Sequence, residues 1–295
     1  MSGKGVLLSL LASLLFAVLS AYTTLLKPLD GLAIYAWRML WTLPSLLVLV
    51  LLRGQWAQFV GQLRRLKNEP RLWGLLPLMA LLLATQLWLF MWAPLHGQAL
   101  AVSMGYFLLP LTMVLTGRLL YAESLYRLQW LALACALLGV AHEWWLTRSI
   151  AWPTLLVAIG YPPYFVLRRS SRLEPLTGFA LEIALMCPFA LCLLWWLGAP
   201  SWGVIAEPRF WLLLPGLGII SSVALGCYMT ASRLLPLGLL GILGYVEPAL
   251  LFLLAVFLLG EPLSLASLLT YVPIWMAVLL TGMHTVLSRR ARLSR

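Results

Sequence analysis

The chain has 295 residues, of which 63% are hydrophobic and 10% are charged, and its mean hydropathy is +0.97. A soluble globular domain is about half apolar and about a quarter charged, so this composition excludes a soluble fold. The formal net charge of +11 does not indicate a nucleic-acid partner, because the basic residues are scattered among short loops. No glycine-rich phosphate loop ending in Gly-Lys-Ser or Gly-Lys-Thr occurs, which argues against a self-contained nucleotide-driven pump.

Apolar stretches long enough to cross a bilayer recur along the whole chain. The first, at about 6–26, follows Lys4 but precedes no small-residue cleavage site, so we interpret it as a retained helix and not as a signal peptide. The others are expected at about 33–52, 72–92, 98–120, 127–147, 150–167, 177–197, 210–230, 237–259 and 264–287. The sequence therefore predicts an all-α membrane protein with ten transmembrane helices.

Lysine and arginine residues are distributed unequally between the two sets of loops that ten helices would create. Sixteen of them fall on the side of the two termini, three fall on the other side, and Arg38 lies within a span. Cytoplasmic loops of membrane proteins carry the excess of basic residues. Both termini are therefore predicted to be cytoplasmic, next to an anionic lipid surface that basic loops favour.

The two halves of the chain match each other weakly at an offset of 138 residues. The matched positions are 90–93 with 228–231, Pro110 with Pro248, and Glu123 with Glu261. Each half contains five predicted spans, an odd number, so the second copy enters the membrane in the opposite sense. The sequence thus predicts two inverted five-helix repeats, residues 1–147 and 148–295, around a central cavity. This arrangement is typical of secondary transporters.

Several motifs are similar to those of a known family. They are Thr85-Gln86-Leu87-Trp88-Leu89-Phe90-Met91-Trp92-Ala93, Ser103-Met104-Gly105-Tyr106-Phe107-Leu108-Leu109-Pro110-Leu111, Gly244-Tyr245-Val246-Glu247-Pro248, Gly260-Glu261-Pro262-Leu263 and Ile274-Trp275. With them the chain resembles the EamA-type drug/metabolite transporters, most closely the RarD-like branch. The resemblance implies a ten-helix exporter of small metabolites or drugs in the bacterial inner membrane. The chain departs from the branch in having Trp37 in place of a histidine and Glu247 in place of an uncharged residue.

Four charged residues fall inside predicted spans, where a charge is costly and is usually paired or functional. They are Arg38, Glu143, Glu182 and Glu247. Glu247, in mid-span before Pro248, is the first candidate for a coupling carboxylate that exchanges a proton for substrate, or for a group that binds a cationic part of the substrate directly, and Glu182 is the second candidate for coupling. The alternative for Glu247 is a neutral carboxyl group bonded to the helix backbone. Arg38 is expected to bind a substrate carboxylate or phosphate, with a structural anchor as its alternative. Glu143 is interpreted as an interfacial residue.

Polar and aromatic residues in the middle of spans complete the predicted substrate site. Its candidate residues besides Arg38 are Trp37, Trp41, Gln86, Trp88, Tyr106, Tyr164, Tyr228 and Tyr245. Aromatic faces can hold planar or cationic groups, although each of these residues is as well suited to packing. Pro162-Pro163 is expected to break the sixth span. The four cysteines match no metal-binding spacing, and the sequence predicts no metal, no cofactor and no catalytic residue.

We interpret the chain as a secondary exporter of small amphipathic or zwitterionic metabolites or drugs by alternating access. Amino acids, amino-acid-derived metallophores and aromatic drugs all remain open as cargo. The alternatives are an intramembrane enzyme, which would need a clustered nucleophile and base or a metal set, and a lipid or undecaprenyl-type flippase subunit. The predicted partners are a small-molecule substrate and the lipid bilayer, with no nucleic acid. Proton coupling, and the choice between monomer and homodimer, are left open.

Reporter fusions test the predicted topology. We expect fusions at Arg65, Arg169 and Arg292 to report the cytoplasm, and fusions near Gly97 and Ala206 to report the opposite side, because of the unequal distribution of basic residues. A cytoplasmic signal at Gly97 would contradict the ten-span inverted repeat.

Overall fold

The structure is a computed structural model that describes residues 3–95, 99–123, 127–147 and 152–247, together with 250, 269, 272–273, 276 and 279–280. Within these residues every regular element is helical. The α-helices are α1 Gly3–Tyr22, α2 Gly31–Leu52, α3 Trp56–Asn68, α4 Pro70–Leu95, α5 Ala99–Tyr121, α6 Arg127–Thr147, α7 Trp152–Ser171, α8 Pro175–Leu197, α9 Ala199–Gly203, α10 Phe210–Leu234 and α11 Leu237–Leu243. Short 3₁₀ turns lie at Thr23–Leu26 and Val204–Ala206.

The first eight predicted spans each coincide with one long helix, and α11 begins where the ninth was predicted. By length and composition, four helices are clearly able to cross a membrane: Gly31–Leu52, Pro70–Phe90, Pro175–Leu197 and Phe210–Leu234. Shorter apolar helices lie at Gly3–Leu19, Leu108–Tyr121 and Trp130–Gly139. The prediction of an all-α membrane protein is confirmed. Most of the last two predicted spans lies outside the described residues, so the ten-helix inverted repeat stays a prediction.

Helix α3 lies in a connection where the sequence predicted no element. It is too short and too polar for a membrane span, but it packs on the protein through Phe59, Gln62 and Leu66. Arg65 donates from Nη1 to the Arg172 carbonyl oxygen, 3.2 Å away, which ties the helix to the α7–α8 turn. Arg65 also bonds Glu69, and this hydrogen bond lowers the pKa of the Glu69 carboxyl group below its usual range.

The long helices form one continuous core in which neighbours along the chain are often not neighbours in space. Helix α10 packs on α1 and α2, α2 packs on α8, and α5 packs on both α7 and α11. At the ends of the helices, hydrogen bonds join loops that the basic-residue count places on the same side. Arg65 bonds the Arg172 carbonyl group at one end, and Arg209 bonds the Lys27 carbonyl group at the other.

The prediction that Pro162-Pro163 breaks the sixth span is wrong, because α7 continues through both prolines to Ser171. A proline at position 162 has no N–H for the carbonyl oxygen of Ala158, one turn earlier. Thr112 of α5 replaces that donor: its Oγ1 donates to the Ala158 oxygen over 2.6 Å. A side chain of the neighbouring helix thus satisfies the carbonyl group that Pro162 frees, which supports the continuous helix at this point.

Small residues of α10 allow it to approach α2 closely, as their four-residue spacing suggests. A Cβ atom on Gly218 would overlap the carbonyl group of Trp41. One turn later, the Ser222 hydroxyl group lies within hydrogen-bond distance of two carbonyl oxygens, that of Thr42 in α2 at 3.0 Å and that of Gly218 in its own helix at 2.7 Å. This contact fixes α10 against the helix that carries Arg38.

We expect Gly218→Ala to destabilise the protein by about 1–3 kcal/mol, the usual cost of overpacking, because the Trp41 backbone cannot move aside without shifting α2. Thermal unfolding in detergent, followed by tryptophan fluorescence, measures the effect. Gly74→Ala in α4 is the matched control, because a Cβ atom there meets nothing within 4 Å. Equal unfolding temperatures for the two variants would contradict the close helix contact.

Candidate functional site

Arg38 lies in the first half of α2 and is almost completely buried, with 3% of its surface exposed. Its Nε donates to Oγ of Ser221 in α10, 2.9 Å away. Among the described residues, the guanidinium group makes no other hydrogen bond with the protein, so its two terminal nitrogens are available to other partners. Tyr35, Tyr106, Tyr161 and Glu247 lie within electrostatic range of the side chain.

Glu247 follows the short turn that ends α11 and is partly buried. Its carboxylate interacts electrostatically with Arg38, and also with Tyr106, Tyr161 and Tyr228. Within the described part of the chain, Glu247 and Arg38 do not approach within the 4.0 Å of a direct ion pair. Two opposite charges therefore share one region of the helix bundle without neutralising each other by contact.

A chain of aromatic rings borders this pair of charges. The hydroxyl groups of Tyr106 and Tyr161 lie 3.4 Å apart, within hydrogen-bond distance. The Tyr161 ring stacks on Phe165 with 6.4 Å between centroids, and Phe165 meets Tyr228 edge to face at 5.6 Å. Phe90 of α4 meets Tyr106 edge to face at 5.9 Å. Helices α4, α5, α7 and α10 thus contribute one aromatic wall.

These contacts define the candidate site as Arg38, Tyr106, Tyr161, Tyr228 and Glu247. Sequence reasoning named four of them, and it missed Tyr161 as a site residue. A helical period counted back from Phe165 would have placed both rings on one face of α7.

Glu182, the second candidate for coupling, belongs to a different and completely buried cluster. Arg168 forms an ion pair with it, and Tyr164 donates from its hydroxyl group to Oε2 over 2.9 Å. The other amino group of Arg168 bonds the carbonyl oxygens of Glu174 and Pro175. The sequence count treated Arg168 as a loop residue. The short α7–α8 turn instead folds it back against the first turns of α8.

The remaining predicted site residues make contacts that hold helices together. Trp37 donates from its indole nitrogen to the Ser201 carbonyl oxygen at 3.0 Å and meets the Trp202 ring edge to face. Gln86 donates from Nε2 to the Leu156 carbonyl oxygen at 2.8 Å, which joins α4 to α7.

Three more predicted residues have packing contacts of their own. Trp41 is partly buried and lies with its backbone against Gly218. The Trp88 ring lies 5.6 Å from that of Trp92. Tyr245 is buried in a small cluster with Val114, Ala132 and Ile242. Tyr164, as described above, bonds Glu182. The Glu143 side chain lies outside the described part of the structure.

The geometry suits the binding of a molecule and not a bond-making reaction. Arg38 offers donors for an anionic group, Glu247 offers an acceptor for a cationic group, and the tyrosine rings offer flat apolar surface between them. In the described part of the chain, no three histidine, cysteine, aspartate or glutamate residues come together as a metal site would require.

Comparison with known proteins gives agreeing results. Residues 3–142 match the EamA-like transporter family. The chain is 52% identical over 293 residues to the chloramphenicol-sensitive protein RarD of Pseudomonas aeruginosa, which covers 99% of this chain and 98% of that protein. It is 42% identical to an uncharacterized transporter of Pasteurella multocida over 94% of both chains. It is 30% identical to protein RarD of Salmonella typhi over 98% of both.

A solved crystal structure is also similar, with a TM-score of 0.68 and 20% sequence identity. The match covers 96% of this chain and 99% of the other. At this identity the similarity shows a shared fold.

We expect Arg168→Met to destabilise the protein by about 3–5 kcal/mol, because it leaves the buried Glu182 carboxylate without its cation. The double variant Arg168→Met with Glu182→Leu should recover most of that loss, since no buried charge remains. Thermal unfolding of the two single variants and the double variant measures the coupling.

Arg65→Met provides the control for this double-mutant cycle. The Arg65–Glu69 pair is largely exposed, so the loss of that pair should lower the free energy of unfolding much less. Additive effects of the Arg168 and Glu182 substitutions would contradict the buried ion pair.

Proposed function

The chain belongs to the EamA-like transporter family, in its RarD-like branch, and we propose that it is a secondary exporter of small amphipathic or zwitterionic molecules. It is a multi-pass membrane protein of a family whose named members are transporters. Those relatives confirm the prediction of a RarD-like transporter and agree with its not being an enzyme. Cargo, direction and energy coupling belong to the proposal.

The proposed mechanism is alternating access between two inverted five-helix repeats, residues 1–147 and 148–295, in the bacterial inner membrane with both termini cytoplasmic. The candidate site supports it, because both proposed repeats contribute to the site. Arg38 and Tyr106 come from the first, while Tyr161, Tyr228 and Glu247 come from the second. A site between two repeats is exposed to alternate sides when one repeat rocks against the other.

The single observation that carries the proposal is the separation of two opposite charges beside one aromatic wall. A fully paired Arg38 and Glu247 would have little to offer a ligand, as the Arg168–Glu182 pair illustrates. Within the described residues, Arg38 is instead held through Nε, and the outer fork of its guanidinium group would bind a carboxylate or phosphate. Glu247 would take an ammonium group, and Tyr106, Tyr161 and Tyr228 would hold the apolar part of the molecule beside the two charges.

We propose Glu247, and not Glu182, as the coupling carboxylate. Glu182 is completely buried and already accepts bonds from Arg168 and Tyr164. Glu247 is partly exposed and accepts no hydrogen bond from another described residue. A carboxylate that is not held by the protein can exchange a proton or a cationic substrate group during a cycle.

A charge series of probes tests this site in proteoliposomes. Phenylalanine carries both charges, phenethylamine carries only the cation, 3-phenylpropionate carries only the anion, and chloramphenicol is uncharged. We expect phenylalanine to bind best, because it alone engages both Arg38 and Glu247. Each substitution should then remove the preference for one charge. Arg38→Ala should abolish the advantage of phenylalanine over phenethylamine. Arg38→Lys should retain only part of that advantage, because an ammonium group lacks the bidentate fork of a guanidinium group.

Glu247→Gln separates recognition from coupling. If Glu247 binds the ammonium group, Gln should weaken phenylalanine binding by about 1.5–3 kcal/mol, the value of a charge-assisted bond. If Glu247 couples transport to protons, Gln should abolish gradient-driven accumulation and leave exchange measurable. Glu207→Gln and Arg209→Ala, in an exposed ion pair at one end of α10, are the controls.

Equal binding of all four probes by the wild type and both site variants would overturn the proposed site. Lipid movement with no uptake of any probe would instead favour the flippase alternative.

A further inference from the structure

The described structure contains a polar cluster that the substrate site does not use. It lies where α5 ends, α7 ends, α10 ends and α11 begins. Its centre is Glu123, two residues after α5, whose side chain is only 13% exposed. The carboxylate accepts from the backbone N–H groups of Leu237 at 2.9 Å and Gly238 at 3.0 Å.

Arg169, near the end of α7, connects this carboxylate to the end of α10. One of its amino groups lies 3.3 Å from Glu123 Oε1, and the other donates to the Leu235 carbonyl oxygen at 2.7 Å. Its guanidinium carbon also lies 4.7 Å from the centre of the Tyr121 ring, a cation–π distance. A single arginine thus contacts groups from the ends of α5 and α10 while belonging to α7.

The backbone of α5 is shaped to admit the carboxylate. A Cβ atom on Gly117 would overlap Glu123 Oε2 and would lie 3.1 Å from the Gly238 nitrogen. Glycine at position 117 therefore lets the end of α5, the Glu123 carboxylate and the start of α11 meet at one point.

The four helices that meet here are the same four that carry most of the candidate site. Tyr106 is on α5, Tyr161 on α7, Tyr228 on α10, and Glu247 follows α11. At 1.5 Å per residue, these positions lie roughly 10–25 Å along the chain from the cluster. A molecule that moves along these four helices between the site and this end would approach the cluster.

We propose that Glu123 and Arg169 form a latch that closes the transport pathway at the end predicted to face the cytoplasm. The proposal rests on the proposed transport function. The latch holds the ends of α5 and α7 against the α10–α11 connection, and its bonds break when that end opens. Glu123 and Arg169 thereby set the balance between the two access states without touching the substrate.

Distance measurements between spin labels test the latch directly, in a background in which the four native cysteines are replaced by serine. Labels at Leu119 on α5 and Leu234 on α10 report the latched end, and both side chains are exposed. Labels at Trp152 on α7 and Trp211 on α10 report the opposite end. Neither pair involves a latch residue.

We expect Glu123→Gln to raise the ratio of open to closed states at the latched end by about tenfold or more, the factor that one charge-assisted hydrogen bond represents. Arg169→Lys should have a smaller effect, because one ammonium group cannot span Glu123 and the Leu235 carbonyl oxygen in the same way. Gly117→Ala should act like Glu123→Gln, since it displaces the carboxylate without changing any charge.

Glu69→Gln is the matched control, because it removes a carboxylate from an arginine pair at the same end of the molecule without joining these helices. An unchanged distance distribution in Glu123→Gln and Gly117→Ala, with only a lower unfolding temperature, would overturn the latch and leave Glu123 as a cap of α11.

The two label pairs also separate the latch from the transport proposal. Opening at the latched end with no change at the opposite end would retain the latch but contradict alternating access. If no probe is transported but Glu123→Gln opens the latched end as expected, the result would contradict the proposed function and not the latch.

Discussion

The hydrocarbon region of a bilayer has no water for a bare peptide group or a charge, so the protein must supply every partner itself. Many polar contacts between the helices of this protein meet that requirement. Thr112 donates a hydrogen bond to the Ala158 carbonyl group, which Pro162 leaves free. Ser222 bonds the Thr42 carbonyl group, and Gln86 bonds that of Leu156. These bonds join helices that are far apart in sequence, and they explain why mid-span polar residues here often have a structural role.

The same requirement distinguishes the two buried arginines. Arg168 bonds a carboxylate and two carbonyl groups, and its carboxylate is bonded again by Tyr164. Arg38 is as deeply buried but bonds the protein through Nε alone within the described structure. A charge that lacks its full set of partners is expensive, and it is retained most readily where a ligand supplies the missing ones. This contrast between two arginines in one bundle supports Arg38 and Glu247 as the ligand-binding charges.

Hydropathy located the long helices well, because a span of apolar residues is a local property of the sequence. Three features were missed, two of them because they depend on residues elsewhere in the chain. The amphipathic α3 was too short for a span, the continuity of α7 depends on Thr112, and the burial of Arg168 depends on the tight turn into α8. Among the aromatic candidates, spacing could not distinguish Tyr106 and Tyr228 from Trp37, because the facing surface decides whether an indole meets a ligand or the Ser201 carbonyl group.

Helix α7 connects the candidate site to the proposed latch. Tyr161 lies beside Arg38 and Glu247, and two turns later the adjacent residues Arg168 and Arg169 leave the helix about 100° apart. Arg168 therefore reaches α8 through Glu182, while Arg169 reaches Glu123 and the end of α10. Had Pro162 broken the helix, its latched end could move without displacing Tyr161. Because Thr112 keeps α7 continuous, a displacement of Arg169 on opening would be transmitted along the helix to Tyr161, which borders the two charges of the proposed binding site.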